Sequence, residues 1–193
     1  TVCIQTGTTT ELNLADFFRL NGISYEALPI ETNDEGKENL FAGRCDVYTT
    51  DASGLSSTRA AAANPDKWVV LPEIISKEPL GPLVRHGDHQ WGDVVRWSLN
   101  AMIIAEELGV TSANVDDQKS SNVPEVLRLL GVEGSYGEML ELAPDWAYQI
   151  IKQIGNYSES YEANVGPDTP LEIARGLNAL WTQGGILYAP PFR

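Results

Sequence analysis

The first 72 residues alternate between short apolar, β-branched runs and segments with helical periodicity, and this alternation restricts the fold more than any other feature. We predict strands over residues 2–5, 25–30, 45–50 and 68–71, and helices over residues 10–20, 34–43 and 53–63. Right-handed crossovers are the usual way to set successive parallel strands side by side. The alternation therefore predicts an α/β lobe over residues 1–76, with a parallel sheet flanked by helices.

The rest of the chain has a different pattern. Three prolines and no helical period occur between Pro72 and Gly87, so residues 77–87 are interpreted as a connector that includes a strand around Leu83 and Val84. Residues 88–193 form a largely helical segment, with helices expected over 91–108, 123–130 and 146–162 and an extended aromatic tail over 184–193. Amphipathic helices need a partner surface, and no sheet is predicted in this half to provide one.

Composition narrows the classes of function. The 193 residues are 42% hydrophobic, which is ordinary for a folded core, and carry a net charge of −14. That charge repels phosphate backbones and anionic lipids, so we expect no nucleic-acid partner and no binding to a membrane surface. No run approaches the roughly 18 to 20 apolar residues that span a bilayer, so we expect no membrane insertion. Because Thr1 opens directly on a strand without a signal-peptide layout, we expect processing or truncation upstream.

A hydroxyl-rich motif follows the first predicted strand. Its residues run from Gln5 to Glu11 and read Gln-Thr-Gly-Thr-Thr-Thr-Glu. Backbone amides and hydroxyls at a helix N-terminus suit a carboxylate or a phosphate. The alternative is that Thr9 or Thr10 only caps the helix while Gly7 makes the turn. A Walker-type phosphate loop is excluded, since no Gly-Lys-Ser/Thr follows.

Asp51 follows the third predicted strand and so lies at another carboxyl end. Ligands of open α/β sheets bind outside the carboxyl ends of strands. If the third strand neighbours the first, Asp51 lies beside Thr8, and an anion pocket next to a carboxylate suits a zwitterion. The alternative is that Asp51 caps the helix that follows it.

Metal and nucleophile chemistry have little support in the sequence. His86, Asp88 and His89 lie close together, but a polar surface turn explains them better than a metal site, since no further histidine completes a ligand shell. No serine lies in a Gly-x-Ser-x-Gly elbow. We therefore predict no catalytic residues, no metal and no cofactor.

Three segments together resemble one protein family. They are TVCIQTGTTTELNLADFFR, FAGRCDVYTTDASGL and LPEIISKEPLGPLVRHGDHQW, and they are similar to the polar amino-acid-binding proteins of ABC importers, closest to the general L-amino-acid-binding type. The resemblance implies a periplasmic-binding-protein-like fold of type II. It also implies an extracytoplasmic protein of the periplasm that captures an L-amino acid and delivers it to the permease subunits of an ABC transporter.

The resemblance assigns roles to individual residues. Thr8 and Thr9 match positions that bind the carboxylate of the substrate through hydroxyl and backbone N–H groups, and Asp51 matches the carboxylate that holds the α-ammonium. Gly7 and Gln5, which flank the turn, complete the predicted set of ligand-binding residues.

The resemblance also implies an assignment of lobes. Residues 1–76 correspond to the second of two ligand-binding lobes, residues 77–87 to a connector with the return hinge strand, and residues 88–193 to a part that packs on the first lobe. That lobe, with the arginine that clamps the substrate, would precede Thr1. Gly155, Asn156, Tyr157, Tyr161 and Gly166 resemble the closing helix of the family. Without its partner lobe the chain is expected to self-associate.

Two cysteines, Cys3 and Cys45, are too few for a disulfide scaffold but are compatible with one bridge in an oxidising compartment. In the family that the chain resembles, the first and third strands lie side by side. The resemblance therefore implies a Cys3–Cys45 disulfide bond, and the alternative is a pair of buried free thiols.

Two other classes of function remain as alternatives. An enzyme on the same scaffold, similar to cyclohexadienyl or arogenate dehydratases, needs a general acid over the bound substrate. Glu11 and Glu78 are the candidates, and each is better explained as a helix-start or surface carboxylate. A sensing domain fused to a receptor is the second alternative, and no signalling segment supports it. We therefore expect a binding protein and no enzyme.

Overall fold

A three-stranded parallel sheet forms the N-terminal part of the chain, as the alternation predicts. The computed structural model describes residues 1–192. Its strands are β1 (Val2–Gln5), β2 (Ala27–Ile30) and β3 (Val47–Tyr48), in the order β2-β1-β3. Val2 of β1 lies opposite Ala27 of β2 and Val47 of β3. The strand predicted over 45–50 is reduced to its central two residues.

A helix follows each strand. These are α1 (Thr9–Leu20), α2 (Asn33–Phe41) and α3 (Ala52–Ala60). Two of them begin at a capping threonine, because the hydroxyls of Thr8 and Thr32 accept hydrogen bonds from the amides of Glu11 and Glu35. The side chains thus satisfy amides that the helices leave unpaired.

The fourth predicted strand, over residues 68–71, is wrong: these residues have no regular structure. They follow a short 3₁₀ turn, Pro65–Lys67. Trp68 instead packs on Phe41 of α2, with ring centroids 5.0 Å apart, while Val69 is 79% exposed. The apolar run therefore contributes one aromatic contact, and its other side chains meet no neighbouring strand.

Apolar side chains are buried on both faces of the sheet. Because successive residues of a strand point to opposite faces, Val2 and Ile4 pack with Leu14 of α1 on one face. Cys3 packs with Ile30 on the other. The predicted Cys3–Cys45 disulfide is confirmed, with Cα atoms 5.7 Å apart.

The second half of the chain is helical. Its helices are α4 (His89–Glu107), α5 (Val115–Gln118), α6 (Pro124–Leu129), α7 (Tyr136–Met139), α8 (Trp146–Ile154) and α9 (Tyr157–Asn164). The helix predicted over 146–162 is divided at Gly155, whose φ of 96° ends α8. The strand predicted around Leu83 and Val84 does not form. The short helices α5 and α7 escaped prediction because one turn carries little periodicity.

The helices of this half provide partner surfaces for one another, although no sheet supports them. Helix α4 packs against α6, α8 and α9, and their apolar faces form one continuous core. The extended tail joins that core through Phe192, whose ring lies 5.4 Å from the ring of Trp97 and 5.4 Å from that of Tyr136. Arg128 Nε donates a hydrogen bond to the Phe192 carbonyl over 3.0 Å.

The chain divides into two units. The first contains residues 1–80 and the short segment Pro170–Ile173, and the second contains Gly81–Thr169 and the residues from Ala174 onward. The division at residue 80 falls inside the proline-rich stretch. No helix of the described chain has the length and apolar content that a bilayer crossing requires.

Candidate functional site

A polar cavity of about 320 Å³ lies in the first unit, at the carboxyl ends of its strands. Of the predicted ligand-binding residues, Gln5, Thr8, Thr9 and Asp51 line it, and Gly7 does not. The remaining lining residues are Thr10, Asn33, Thr49, Thr50, Glu78 and Leu80. The topology brings together the lining residues that follow the strands, because the three strands run parallel and end at one edge of the sheet. Glu78 and Leu80 reach the cavity from the irregular segment after the 3₁₀ turn.

Thr8 has a structural role at the start of α1. Its hydroxyl donates a hydrogen bond to the Gln5 carbonyl over 2.8 Å and accepts one from the Glu11 amide over 3.3 Å. The helix cap considered for Thr9 or Thr10 is therefore provided by Thr8. Within residues 1–192 the amides of Thr9 and Thr10 have no protein acceptor, as expected for the first turn of a helix. They are available to an anion in the cavity.

Gly7 and Gln5 shape the turn before the helix. Gly7 has a φ of 70°, a conformation that glycine adopts without steric cost. Its amide donates to the Glu11 carboxylate over 2.8 Å, so this N–H group is already used. The side-chain amide of Gln5 donates to the Glu31 carbonyl over 2.9 Å. This bond ties the end of β1 to the residue after β2.

Asp51 occupies the N-cap position of α3, but its side chain makes no capping hydrogen bond. The alternative role of Asp51 as a helix cap therefore agrees with the position of its backbone, but it gives no function to its carboxylate. That carboxylate is exposed, and in the described part of the chain it accepts no hydrogen bond. A negative charge with free acceptor oxygens is available to a cation.

Sequence reasoning missed four of the lining residues: Asn33, Thr49, Thr50 and Leu80. Asn33 Oδ1 accepts a hydrogen bond from the Tyr48 hydroxyl over 2.7 Å. Burial raises the pKa of the Tyr48 hydroxyl above its usual value. The amide nitrogen of Asn33 then remains free to donate. Asn33 follows β2, and Thr49 and Thr50 follow β3. Because ligands of open α/β sheets bind outside the carboxyl ends of strands, the sequence positions of these residues could have identified them too.

The carboxylates considered as general acids both have protein partners. Glu11 accepts from the Gly7 amide, which is the helix-start role expected for it. Glu78 Oε1 accepts a hydrogen bond from Asn13 Nδ2 over 3.0 Å.

Asp88, from the histidine-containing turn, caps α4 by accepting from the Trp91 amide over 3.1 Å. Among the described residues, no group of three or more histidine, cysteine, aspartate or glutamate side chains is arranged to hold a metal.

The residues that resemble the family's closing helix lie in the second unit. Asn156 and Glu159 form a reciprocal capping box at the start of α9. Burial raises the pKa of Glu159, but hydrogen bonds from the Ser112 hydroxyl and from the amides of Asn156 and Ser112 lower it below the usual value overall. The Tyr161 hydroxyl donates to the Ala174 carbonyl over 3.0 Å. These contacts join α9 to the loops beside it.

No family model matches the chain. Individual relatives do match, over its whole length. The chain is 56% identical to the glutamate/glutamine/aspartate/asparagine-binding protein BztA of Rhodobacter capsulatus and 56% identical to the general L-amino acid-binding periplasmic protein AapJ of Rhizobium johnstonii. It is 53% identical to the putative amino-acid ABC transporter-binding protein YhdW of Escherichia coli K12. It spans 57% of the length of each of these relatives.

A solved structure shows the same fold. The chain superposes with a TM-score of 0.93, at 52% identity, on an ABC transporter periplasmic binding protein from Brucella ovis with glutathione bound. The match covers 100% of this chain and 60% of the other. Together the comparisons confirm the fold class and the resemblance on which the sequence analysis relied.

Proposed function

We propose that this chain, which is related over its whole length to the periplasmic amino-acid-binding proteins of ABC transporters, forms part of an L-amino-acid site in an extracytoplasmic solute-binding protein. Such a protein captures its ligand in the periplasm and delivers it to permease subunits. One observation supports the proposal most directly: free amides at the start of α1 and the unengaged carboxylate of Asp51 line the same cavity.

The ligand is a zwitterion, and each of its charges has a counterpart. The α-carboxylate binds the free amides of Thr9 and Thr10 at the positive end of the α1 dipole. The Thr8 hydroxyl joins them by turning from the Gln5 carbonyl toward the ligand. The α-ammonium pairs with Asp51 in a charge-assisted hydrogen bond. Gln5 lines the cavity, and Gly7 acts indirectly by forming the turn that presents the amides.

The same proposal assigns parts of this chain to the two lobes of such a binding protein. Residues 1–76 correspond to the second ligand-binding lobe, residues 77–87 to the hinge connector, and residues 88–193 to a helical part that packs on the first lobe. We further propose that the 193-residue chain by itself associates with copies of itself through exposed apolar residues such as Leu83 and Ile186. Light scattering at micromolar concentration tests this, and a monomer at all concentrations contradicts it.

Binding is favoured over turnover. The relatives are named as binding proteins, and the side chain of Glu11 is engaged at the helix start. Incubation of the intact protein with prephenate or arogenate therefore yields no product. Product formation that depends on Glu78 or Glu11 would favour the dehydratase alternative.

The main test is Asp51→Ala in the intact protein as its gene encodes it. Asp51 is exposed in this chain, but in the proposed two-lobe protein the closed cleft shields the Asp51–ammonium pair from water. Loss of one partner then leaves the other charge uncompensated, which costs about 3 to 5 kcal/mol. At about 1.4 kcal/mol per tenfold, affinity falls a hundredfold or more. Isothermal titration with a panel of L-amino acids measures this. Asp66→Ala removes an exposed carboxylate of the same unit that does not line the cavity, and it leaves affinity unchanged.

Thr8 needs a two-variant test, because its hydroxyl also caps α1. Thr8→Ala removes a hydrogen bond to a charged group, worth about 1.5 to 3 kcal/mol, and a cap worth about 0.5 to 2 kcal/mol of stability. Thr8→Ser keeps both functions and retains binding.

Near-native affinity of a folded Asp51→Ala protein would show that the ammonium lies elsewhere.

A further inference from the structure

A second carboxylate, that of Glu78, lines the same cavity as Asp51. The described residues that line this cavity include no lysine, arginine or histidine, and apart from Leu80 the others carry hydroxyl or amide groups. The cavity therefore contains two negative side-chain charges and no positive one. The proposed ligand supplies a single ammonium, which Asp51 takes, so the charge of Glu78 has no counterpart in the α-amino-acid group.

The position of Glu78 is set by helix α1. Its Oε1 atom accepts the hydrogen bond from Asn13 Nδ2, and in the part of the chain that the structure describes its second oxygen has no partner. Asn13 lies on the same helix whose first turn presents the anion-binding amides. Glu78 is thereby tied to the element that holds the ligand's carboxylate, while its second oxygen stays available.

We infer that Glu78 is a specificity-determining residue that selects ligands by the charge of their side chain. It disfavours anionic side chains and favours neutral and cationic ones. The inference rests on the proposed function, because it assumes an amino acid in this cavity. It concerns how much Glu78 changes the ratio of affinities between amino acids with charged and with neutral side chains. Other residues add their own contributions to that ratio.

The size of the effect follows from Coulomb's law. Unit charges roughly 7 Å apart, in surroundings of effective dielectric constant between about 40 and 80, change an affinity by roughly threefold to tenfold. The effect shrinks in high salt, because the Debye length falls to about 3 Å at 1 M. A purely steric role of Glu78 has no such salt dependence.

The test is Glu78→Gln in the intact protein, titrated with L-glutamate, L-glutamine and L-lysine at low ionic strength. The substituted amide keeps an oxygen that accepts from Asn13, so the variant loses the charge and retains the tether. Glutamate then binds roughly threefold to tenfold more tightly relative to glutamine, and lysine binds more weakly relative to glutamine by a similar factor. Both shifts diminish at about 1 M salt.

Glu26→Gln provides the matched control. Glu26 is exposed and lies just before β2, at the amino end of the sheet rather than the carboxyl end. Its substitution changes the net charge by the same amount and leaves all three affinity ratios unchanged. Equal shifts for Glu78→Gln and Glu26→Gln would reduce the effect to overall charge and overturn the inference.

The test separates the inference from the proposed function. If the amino acids bind, Asp51→Ala weakens binding a hundredfold or more, and Glu78→Gln leaves the ratios unchanged, then the inference is wrong and the proposed function stands. If no amino acid binds, the proposed function is wrong, and if Asp51→Ala keeps near-native affinity, the proposed binding mode is wrong; either result overturns the inference as well.

Discussion

The two units bury their apolar residues in different ways. The first unit has a three-stranded sheet with a small cluster on each face, and a disulfide joins Cys3 to Cys45. The second unit has one continuous core built from several helices and the aromatic tail. The first unit thus depends on backbone pairing and a covalent link, whereas the second depends on side-chain packing.

The difference follows from what each unit presents to solvent. In the first unit, free amides, hydroxyls and the Asp51 carboxylate at the carboxyl edge of the sheet surround a cavity, together with the carboxylate of Glu78. Polar groups that remain exposed around a cavity add nothing to the core, so stability has to come from other parts of the unit. In the second unit, by contrast, the charged side chain of Arg175 has protein partners. It donates a hydrogen bond to Glu106 over 3.0 Å and lies over the rings of Tyr157 and Tyr161.

The largest expected effect on stability is in the second unit. Phe192→Ala removes the ring that Trp97, Tyr136 and Trp146 surround, which destabilises the unit by about 3 to 5 kcal/mol. Urea unfolding of the intact protein, followed by near-ultraviolet circular dichroism, measures this. Tyr188→Ala is the control, since Tyr188 is 69% exposed and its removal costs little. Equal losses for both variants would contradict the idea of a packed tail.

A somewhat smaller effect is expected in the first unit. The disulfide joins residues 42 apart in sequence, and closing a loop of that size stabilises by about 2 to 4 kcal/mol. The double variant Cys3→Ala, Cys45→Ala therefore lowers the unfolding midpoint of the first unit and leaves that of the second unchanged.

Mass spectrometry after alkylation without reductant provides the independent check on the bridge. Unmodified cysteines are expected in native protein, and two alkylated thiols would disprove the bond. A wild-type midpoint for the double variant would show that the sheet needs no covalent link. The first unit would then depend on backbone pairing and packing alone.

The smallest effect concerns pH and the second unit. Because the pKa of Glu159 is lower in the folded protein than its usual value of 4.5, its ionised form stabilises the fold above that value. The stabilisation is lost as the pH falls through the lower, folded pKa. Glu159→Gln weakens the hydrogen bonds from Ser112 and Asn156, which costs about 0.5 to 1.5 kcal/mol at neutral pH. It also flattens the loss of stability as the pH falls below 4.5. Glu162→Gln, on the exposed face of the same helix, leaves that slope unchanged.

Much of the first unit is predictable from its sequence. The alternation of apolar runs and helical periods placed β1, β2 and the three helices within a few residues of their bounds. The same pattern located Thr8 and Asp51 at strand carboxyl ends, where the cavity lies. The pairing of Cys3 with Cys45 came from the family resemblance, since two cysteines alone leave free thiols as an alternative.

Other features depended on contacts between distant residues. Residues 68–71 have the composition of a strand, but Trp68 packs on Phe41 instead of entering the sheet. Asn33 and Glu78 share a cavity with Asp51 although they lie on separate segments. The role of Glu78 as a cavity residue, rather than only a surface carboxylate, is visible once those segments are brought together.

The sequence by itself determined the order of strands and helices along the first unit, because periodicity acts between residues one or two turns apart. It did not determine the cap of α1, which lies at Thr8 instead of Thr9 or Thr10. The tertiary structure decided which of the predicted strands form, which side chains line the cavity, and how Phe192 comes to lie against Trp97. Those outcomes depend on which surfaces bury each other, and burial is a property of residues close in space, whatever their separation along the chain.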